Sequence, residues 1–520
     1  VGNKADVSGN DLLQYWEDDP RTDVILLYLE SFGNPRKFAR VARTFAQRKP
    51  LLAVAGGRSG GGARAGASHT AAAASPAVHV SALFAQAGVL GCASAEEMAE
   101  AALMLTRQPL PTGRRVAIVT NAGGLGVIAA DAADRLLLTV PELSTELRHR
   151  VATSVRGTAA TANPVDAGAG VEPGDLDGLV EDLLGSDEVD ALVAVVVPTR
   201  ISDGAGAVRR LLELARRPRA KPMAVVPVGS LWTRTWVPGS PAFPSAEAAL
   251  RALAHAATYA AWRDVPAVDP LPLDHARAST ALAFAHESER AHPDGRGWLC
   301  ARSVDTLLSP YRLAPIGVVA DGADEAAAAA ARLGFPVAVK AGSGEVVHKT
   351  EHGLVRLGLR AAGDVRAAVT QIEELLPGQE TSVLVQPMSA GTELALGVVR
   401  DDRFGPLVMA AAGGIHTDVW QDRSFLMPPV SRDAAERAVR ALRLYPVLAG
   451  HRGTPPADVE GVIDLILRIG LLVEEVPDVA ELDINPVHVD AHGCRIIDVK
   501  VRVAPGRLLD AGVPRRLRDR

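Results

Sequence analysis

Cysteine is scarce in this sequence. Three thiols, Cys92, Cys300 and Cys494, stand far apart and form no CxxC pair, which points to neither a disulfide framework nor a zinc site and suits a reducing cytoplasm. Aromatic residues make up only 4% of the chain, and no apolar run is long enough to span a membrane. No leader pattern opens the chain. Basic residues are not in excess: Lys and Arg number 55 against 61 Asp and Glu, a net charge of −6, and the arginines are scattered. That balance argues against nucleic acid as the main partner. What is present is 48% hydrophobic and 22% charged residues, a globular rather than a disordered composition. A length of 520 residues exceeds what one core organises, so three domains are expected.

The first of these is read over residues 1–100. Residues 24–29 form a short continuous apolar run, as in a parallel strand buried on both faces. Residues 35–47 have helical spacing with Arg and Lys outward, and 50–54 read as the next strand, leading into a glycine-rich stretch at 56–66. A second unit, residues 110–270, opens on a strand at 116–120, turns at 121–126 and enters a helix to about residue 137. Further strands at 189–197 and 223–228 make it a second doubly wound layer. Residues 271–300, with Pro, His, Arg and Gly, read as a linker. Over 301–506, strands at 336–340, 382–386, 393–399, 407–411 and 495–501 alternate with helices in an α+β pattern. Residues 507–520 are basic and Pro-containing and read as a loose tail. Val1 is not a start methionine and residues 2–7 read as the middle of a fold, so a truncated N-terminus is expected.

Several residues carry chemistry. Gly66-Ala67-Ser68-His69-Thr70 leads into an alanine run that reads as a helix. Ser68 or Thr70 can cap that helix, and His69 falls where unpaired N–H groups and the helix dipole favour an anion. An imidazole there can accept a phosphoryl group whose charge is held by backbone donors; the plainer reading is a loop histidine that caps or binds water. Glu30 ends the strand at 24–29, on the sheet edge where α/β sites form. A carboxylate there can hold the far nitrogen of His69, although alone it reads as a solvated acid. Gly123 and Gly124 follow a strand and open a helix, so their amides can cradle phosphate or acyl phosphate; such turns also arise for steric reasons. Lys340 ends a strand and suits nucleotide phosphates, and residues 346–353 form a polar loop suited to closing over ATP. Asn485 and Asp498, on neighbouring strands, offer oxygens to a magnesium ion that keeps waters and bridges phosphates. Singly, each also reads as a turn residue.

Asn3-Lys4-Ala5-Asp6-Val7, Leu27-Tyr28-Leu29-Glu30-Ser31 and Ser68-His69-Thr70 resemble the second domain of the acyl-CoA synthetase (NDP-forming) family, the succinyl-CoA-synthetase-like kind. The resemblance extends over almost the whole chain. It implies two flavodoxin-like doubly wound parallel-sheet domains followed by an α+β ATP-grasp domain. It also implies that Glu30 steadies a phosphohistidine at His69 and that the Gly123-Gly124 helix end faces that histidine. Asn163, in Asn163-Pro164-Val165-Asp166, matches a loop near the acyl site. In the ATP-grasp part, Val383-Leu384-Val385-Gln386-Pro387-Met388 resembles the hinge that bonds adenine through its backbone, which brings in Gln386 and Met388. Glu393 matches the ribose-binding glutamate, Asp483 the acid that holds the histidine at the nucleotide site, and His348 a histidine that relays phosphate. Two positions depart from the pattern: Ala71 follows Ser-His-Thr where the family often has Gly, and His352-Gly353 replaces the usual Gly-Gly.

The resemblance implies an ADP-forming acid–CoA ligase, with Mg2+ as cofactor and ATP or ADP and CoA as substrates. The implied partners are nucleotide, phosphate and a small acyl-CoA or carboxylic acid, with neither nucleic acid nor membrane. Homo-oligomer formation stays open. A second reading is a ligand-sensing module, because the same domains occur fused to acetyltransferase domains in some protein-lysine acetyltransferases. No acetyltransferase motif stands in these residues, and the CoA-binding domain expected upstream is not among them.

Overall fold

The computed structural model describes residues 7–506, apart from 31, 57–76, 155–159, 236, 238, 266–269, 291–296, 345–348, 350–351, 378–381, 402 and 415–421. The tail expected at 507–520 lies outside the described residues.

The first unit is a parallel sheet of β1 (Ile25–Leu29), β2 (Leu51–Ala55) and β3 (Val89–Gly91), in that order. Helix Pro35–Arg48 shows how the sequence forms it. Asn34 accepts from the Lys37 N–H as N-cap, Pro35 occupies the first turn, and Phe38, Val41, Ala42 and Phe45 repeat along the buried face. The helix Ala95–Arg107 carries this unit past residue 100, the boundary expected from sequence.

The second unit has β4 (Val116–Thr120), β5 (Val165–Asp166), β6 (Ala191–Val196) and β7 (Met223–Pro227), all parallel, in the order β5-β4-β6-β7. With β4 counted as the first strand, this matches the start of the flavodoxin-like order. Strands β4, β6 and β7 are buried along their whole length, which explains their unbroken apolar runs. The order reverses at β4, so the crevice outside its carboxyl end is where such sheets build sites.

The third unit holds two antiparallel sheets. One, in the order β11-β10-β12-β9, comprises β9 (Val318–Asp321), β10 (Val337–Ala341), β11 (Val355–Leu359) and β12 (Ser382–Pro387). The other runs β15-β14-β13-β16-β18-β8, with β17 beside β16. Its strands are β8 (Gly297–Trp298), β13 (Thr392–Asp401), β14 (Gly405–Ala412), β15 (Arg423–Leu426), β16 (Val479–Asp490), β17 (Gly493–Ile496) and β18 (Val499–Val503). The apolar helix Val459–Glu475 fills the core against this larger sheet.

Two expectations are corrected here. The stretch read as a linker contains a helix, His275–Arg290, whose Ala281 and Ala285 are buried in the third unit's core. Arg277 of that helix pairs with Glu475 at 2.7 Å, and the Tyr311 hydroxyl donates to the same carboxylate at 2.8 Å. Gly297–Trp298 then adds an edge strand to β18, so these residues belong to the third unit. The single strand read at 495–501 is two strands, β17 and β18, with Ile497 and Asp498 at the break between them. Among the described residues no helix is long and apolar enough to cross a membrane.

Candidate functional site

The third unit's two sheets enclose a cleft of about 660 Å³. Six of the residues singled out in the sequence line it: Lys340, Gln386, Met388, Glu393, Asn485 and Asp498. Lys340 comes from β10 and is buried; its ammonium donates to the Ile497 carbonyl at 3.0 Å and stands 4.0 Å from Asp498 Oδ1. The Asn485 N–H donates to the Asp498 carbonyl at 3.1 Å, which ties the two residues together through the backbone. Both offer hard oxygen donors beside a cation-lined wall, and that donor set fits magnesium. Glu393 opens β13 at an exposed position, directly across the ladder from His488. A Cβ at Gly414 would strike the Glu393 carboxylate, and Gly414 has φ +84°, so only glycine leaves Glu393 its place.

Electrostatics distinguish this cleft from an ordinary groove. Burial pulls the Lys340 ammonium below its usual range; Asp498 opposes the shift and Lys349 adds to it. Lys349, also in the cleft wall, is lowered by burial, with Asp498 opposing and Lys500 adding. Clustered buried ammonium groups of this kind are under-neutralised and favour an arriving polyphosphate. Asp483 lies two residues before Asn485, and Lys500 is its register partner on β18. Burial holds the Asp483 carboxyl above the ordinary carboxylate range; Lys500 opposes this, while Asp498 and Glu481 reinforce it. Among the described residues the Asp483 side chain makes no hydrogen bond.

Lys349, Lys500 and His488 received no role in the sequence reading, yet all three line the cleft. Their signal was partly present, since Lys349 sits in the polar loop and Lys500 is two residues beyond Asp498. The Gln386 side chain has a role of its own. Its side-chain amide is buried and donates to the Ile316 and Ile497 carbonyls at 2.6 and 2.9 Å. It therefore braces the same corner that Lys340 grips. Met388 is exposed at the cleft mouth, its N–H directed at the Pro336 carbonyl at 3.3 Å.

The remaining residues lie in the first two units. Glu30 is exposed immediately after β1, and the Gly56 N–H at the end of β2 donates to the Leu29 carbonyl at 2.8 Å. Glu30 thus neighbours the strand end from which the glycine-rich stretch departs. Ser68, His69, Thr70 and His348 lie outside the described residues. The helix that resumes at Ala77–Ala87 is fixed to the third unit. His79 Nδ1 lies 3.0 Å from Asp401 Oδ2, and Gln86 exchanges two hydrogen bonds with the Met427 backbone at 2.6 and 2.8 Å.

In the second unit the helix Gly123–Arg135 opens without a side-chain cap, and both Gly123 and Gly124 are exposed. The Leu125 N–H is taken by the Ala122 carbonyl at 2.9 Å, so it is the N–H groups of Gly123 and Gly124 that are available to an anion at the switch point. A Cβ at Gly126 would press on Pro164 and Thr120 at 3.1 and 3.2 Å, so that glycine serves packing.

The Asn163 side chain, in the loop expected near the acyl site, is committed to the backbone. The Ile118 N–H donates to its Oδ1 at 2.9 Å, and its Nδ2 donates to the Val116 and Pro141 carbonyls at 2.9 and 3.2 Å. The amide replaces a strand partner along β4. Asn163→Ala is therefore expected to cost about 2–3 kcal/mol of stability through unpaired backbone groups, measured as a lower Tm. Nucleotide affinity should stay unchanged. A variant with wild-type Tm and weakened acyl-phosphate binding would return Asn163 to the acyl site.

The chain can now be set beside known proteins. A family model for the ATP-grasp domain matches residues 290–503, and one for the succinyl-CoA ligase like flavodoxin domain matches residues 1–105. Over 96% of its length the chain is 31% identical to acetate–CoA ligase (ADP-forming) I of Archaeoglobus fulgidus, and it covers 73% of that protein. It is 27% identical, with the same two coverages, to 4-hydroxybutyrate–CoA ligase (ADP-forming) of Nitrosopumilus maritimus. Among solved structures, it is similar to the dinucleotide forming acetyl-coenzyme A synthetase 1 of Ca. Korarchaeum cryptofilum in complex with phosphate and ADP. That likeness has 30% identity and a TM-score of 0.47, and covers 51% of this chain and 58% of the other.

Proposed function

The chain belongs to the ADP-forming acyl-CoA ligase family, and we propose that it interconverts acyl-CoA, ADP and phosphate with a carboxylic acid, CoA and ATP through a phosphohistidine at His69. The observation that carries this reading is the convergence of Lys340, Asn485, Asp498 and Glu393 on one cleft of nucleotide size. The alternative of a ligand-sensing module has no support among the relatives.

Phosphate oxygen attacks the thioester carbonyl, the CoA thiolate leaves, and acyl phosphate forms. The His69 imidazole then takes the phosphoryl group and releases the carboxylate, with Glu30 holding the far ring nitrogen. The first-turn amides of Gly123 and Gly124 receive the phosphate oxygens. At the cleft, a terminal oxygen of ADP takes the phosphoryl group from His69 and the imidazole is regenerated. Asn485 and Asp498 would hold a magnesium ion, which when bound supplies charge neutralisation to the phosphates. Lys340 and Lys349 bind the phosphates, Glu393 orients the ribose, and Asp483 anchors the imidazole. The relatives' names span acetate and 4-hydroxybutyrate, so the acid is assigned only as a class.

Removal of one charge-assisted contact costs about 1.5–3 kcal/mol, or roughly one to two decades of affinity. Lys340→Ala should weaken ADP binding by that amount in calorimetric titration. Asn485→Ala and Asp498→Ala should instead raise the magnesium concentration needed for half-maximal nucleotide binding. Wild-type behaviour in all three variants would place the nucleotide elsewhere.

A further inference from the structure

A second constellation lies where the first two units meet, away from the nucleotide cleft and unused by phosphoryl transfer. Cys92, just beyond β3, is 1% exposed. Glu97 lies in the first turn of the helix Ala95–Arg107, and His255 comes from the helix Ala246–Asp264 of the second unit. One donor atom from each, the thiol sulfur, a carboxylate oxygen and a ring nitrogen, all lie within 4.8 Å of one another. Only the packing of the two helices brings them together, so no spacing motif announces them.

We propose that Cys92, Glu97 and His255 form a site for a borderline divalent transition metal, zinc being the best fit, which staples the first unit to the second. Thiolate, imidazole and carboxylate are the donors zinc takes, and three protein ligands leave one position for water. Tetrahedral bonds of about 2.0–2.3 Å space the ligand atoms about 3.3–3.8 Å apart, so the three donors need only small shifts. One of them is an opening of the contact between His255 Nε2 and Glu97 Oε1, now 2.8 Å.

The surroundings already orient the ligands. The Ala93 N–H donates to Glu97 Oε2 at 3.1 Å and Arg251 Nε stands 3.9 Å from the same oxygen, which leaves Oε1 turned toward His255. Outer partners of this kind fix first ligands in place. Arg251 also pairs with Glu100 at 2.7 Å. With metal bound, the charges of Glu97, Glu100 and the thiolate balance those of Arg251 and the ion. Binding forms the sulfur–metal bond and releases the thiol proton to solvent, without redox change.

The test uses the full chain, stripped by chelator and titrated with cobalt(II) alone. One equivalent should produce a near-ultraviolet thiolate-to-cobalt charge-transfer band, displaced by zinc. Cys92→Ser should abolish the band, His255→Gln should weaken cobalt at least tenfold, and Cys300→Ser and Cys494→Ser should leave it intact. No band, or a band that survives Cys92→Ser, would overturn the site and leave an interdomain ion pair only. Should the Cys92 variant fail to fold, the unaltered protein decides: zinc must raise its Tm above that of the chelated form, and an unchanged Tm rejects the proposal.

Discussion

A His69→Ala variant is expected to take up no acid-labile phosphate from magnesium-ATP and to lose at least about 10³-fold in turnover, because it lacks the covalent carrier. Nucleotide binding should survive, since Lys340, Glu393, Asn485 and Asp498 all belong to the third unit. That separation makes the outcome readable: an unlabelled protein with wild-type ADP affinity has lost the carrier and kept the cleft. The anchoring of the flanking chain supports the assignment. The glycine-rich stretch leaves from Gly56, hydrogen-bonded beside Glu30's strand, and the chain resumes in a helix held on the third unit by His79 with Asp401 and by Gln86 with Met427. His79→Ala is the control, for His79 is tied to Asp401 and should leave labelling intact. Radiolabelled ATP followed by acid and base lability gives the answer. Full labelling of His69→Ala would remove His69 as carrier, and label found on His348 would transfer the role there.

The cleft was legible in the sequence from a lysine at a strand end, Lys340, from Asn485 and Asp498 taken as a pair, and from the family resemblance for Glu393; all four meet. His488 and Lys500 were not legible, because their place depends on strand register: His488 lies across from Glu393 and Lys500 from Asp483. The backbone bonds of the Asn163 side chain were not legible for a different reason. A side-chain amide that substitutes for a strand's backbone partner looks, in sequence, like any Asx-Pro turn. The helix His275–Arg290 was missed because its buried contacts are Ala281 and Ala285, too small to mark a hydrophobic period. The break between β17 and β18 was missed although the apolar alternation changes phase there, because Ile496, Ile497 and Val499 keep the stretch apolar across it. The parallel strands were the easiest to read, since burial on both faces leaves an uninterrupted apolar run.

Asp483→Asn is expected to slow phosphorylation of His69 by ATP by about 10²–10³-fold, the cost of removing one preorganised electrostatic partner, while sparing much of the reaction with acyl phosphate. Glu30→Gln should do the reverse, because one fixed carboxylate cannot hold an imidazole at two places, and Glu30 follows β1 while Asp483 stands on β16 beside the cleft. In each variant the amide still hydrogen-bonds but no longer stabilises positive charge on the ring, so the loss reports charge rather than shape. The same Asp483 substitution should act oppositely on stability. Burial raises the Asp483 carboxyl above its unfolded value of 3.8, with Lys500 opposing and Asp498 and Glu481 adding. The folded state therefore holds this proton more tightly, and the protein loses stability as pH climbs from that value through the raised one. Asparagine does not titrate, so Asp483→Asn should melt above wild type at neutral pH, and the difference should vanish as pH falls below about 4. A lower Tm at neutral pH would mean that Asp483 is a structural acid. Equal slowing of both half-reactions by both variants would mean that the histidine does not change anchors between the two sites.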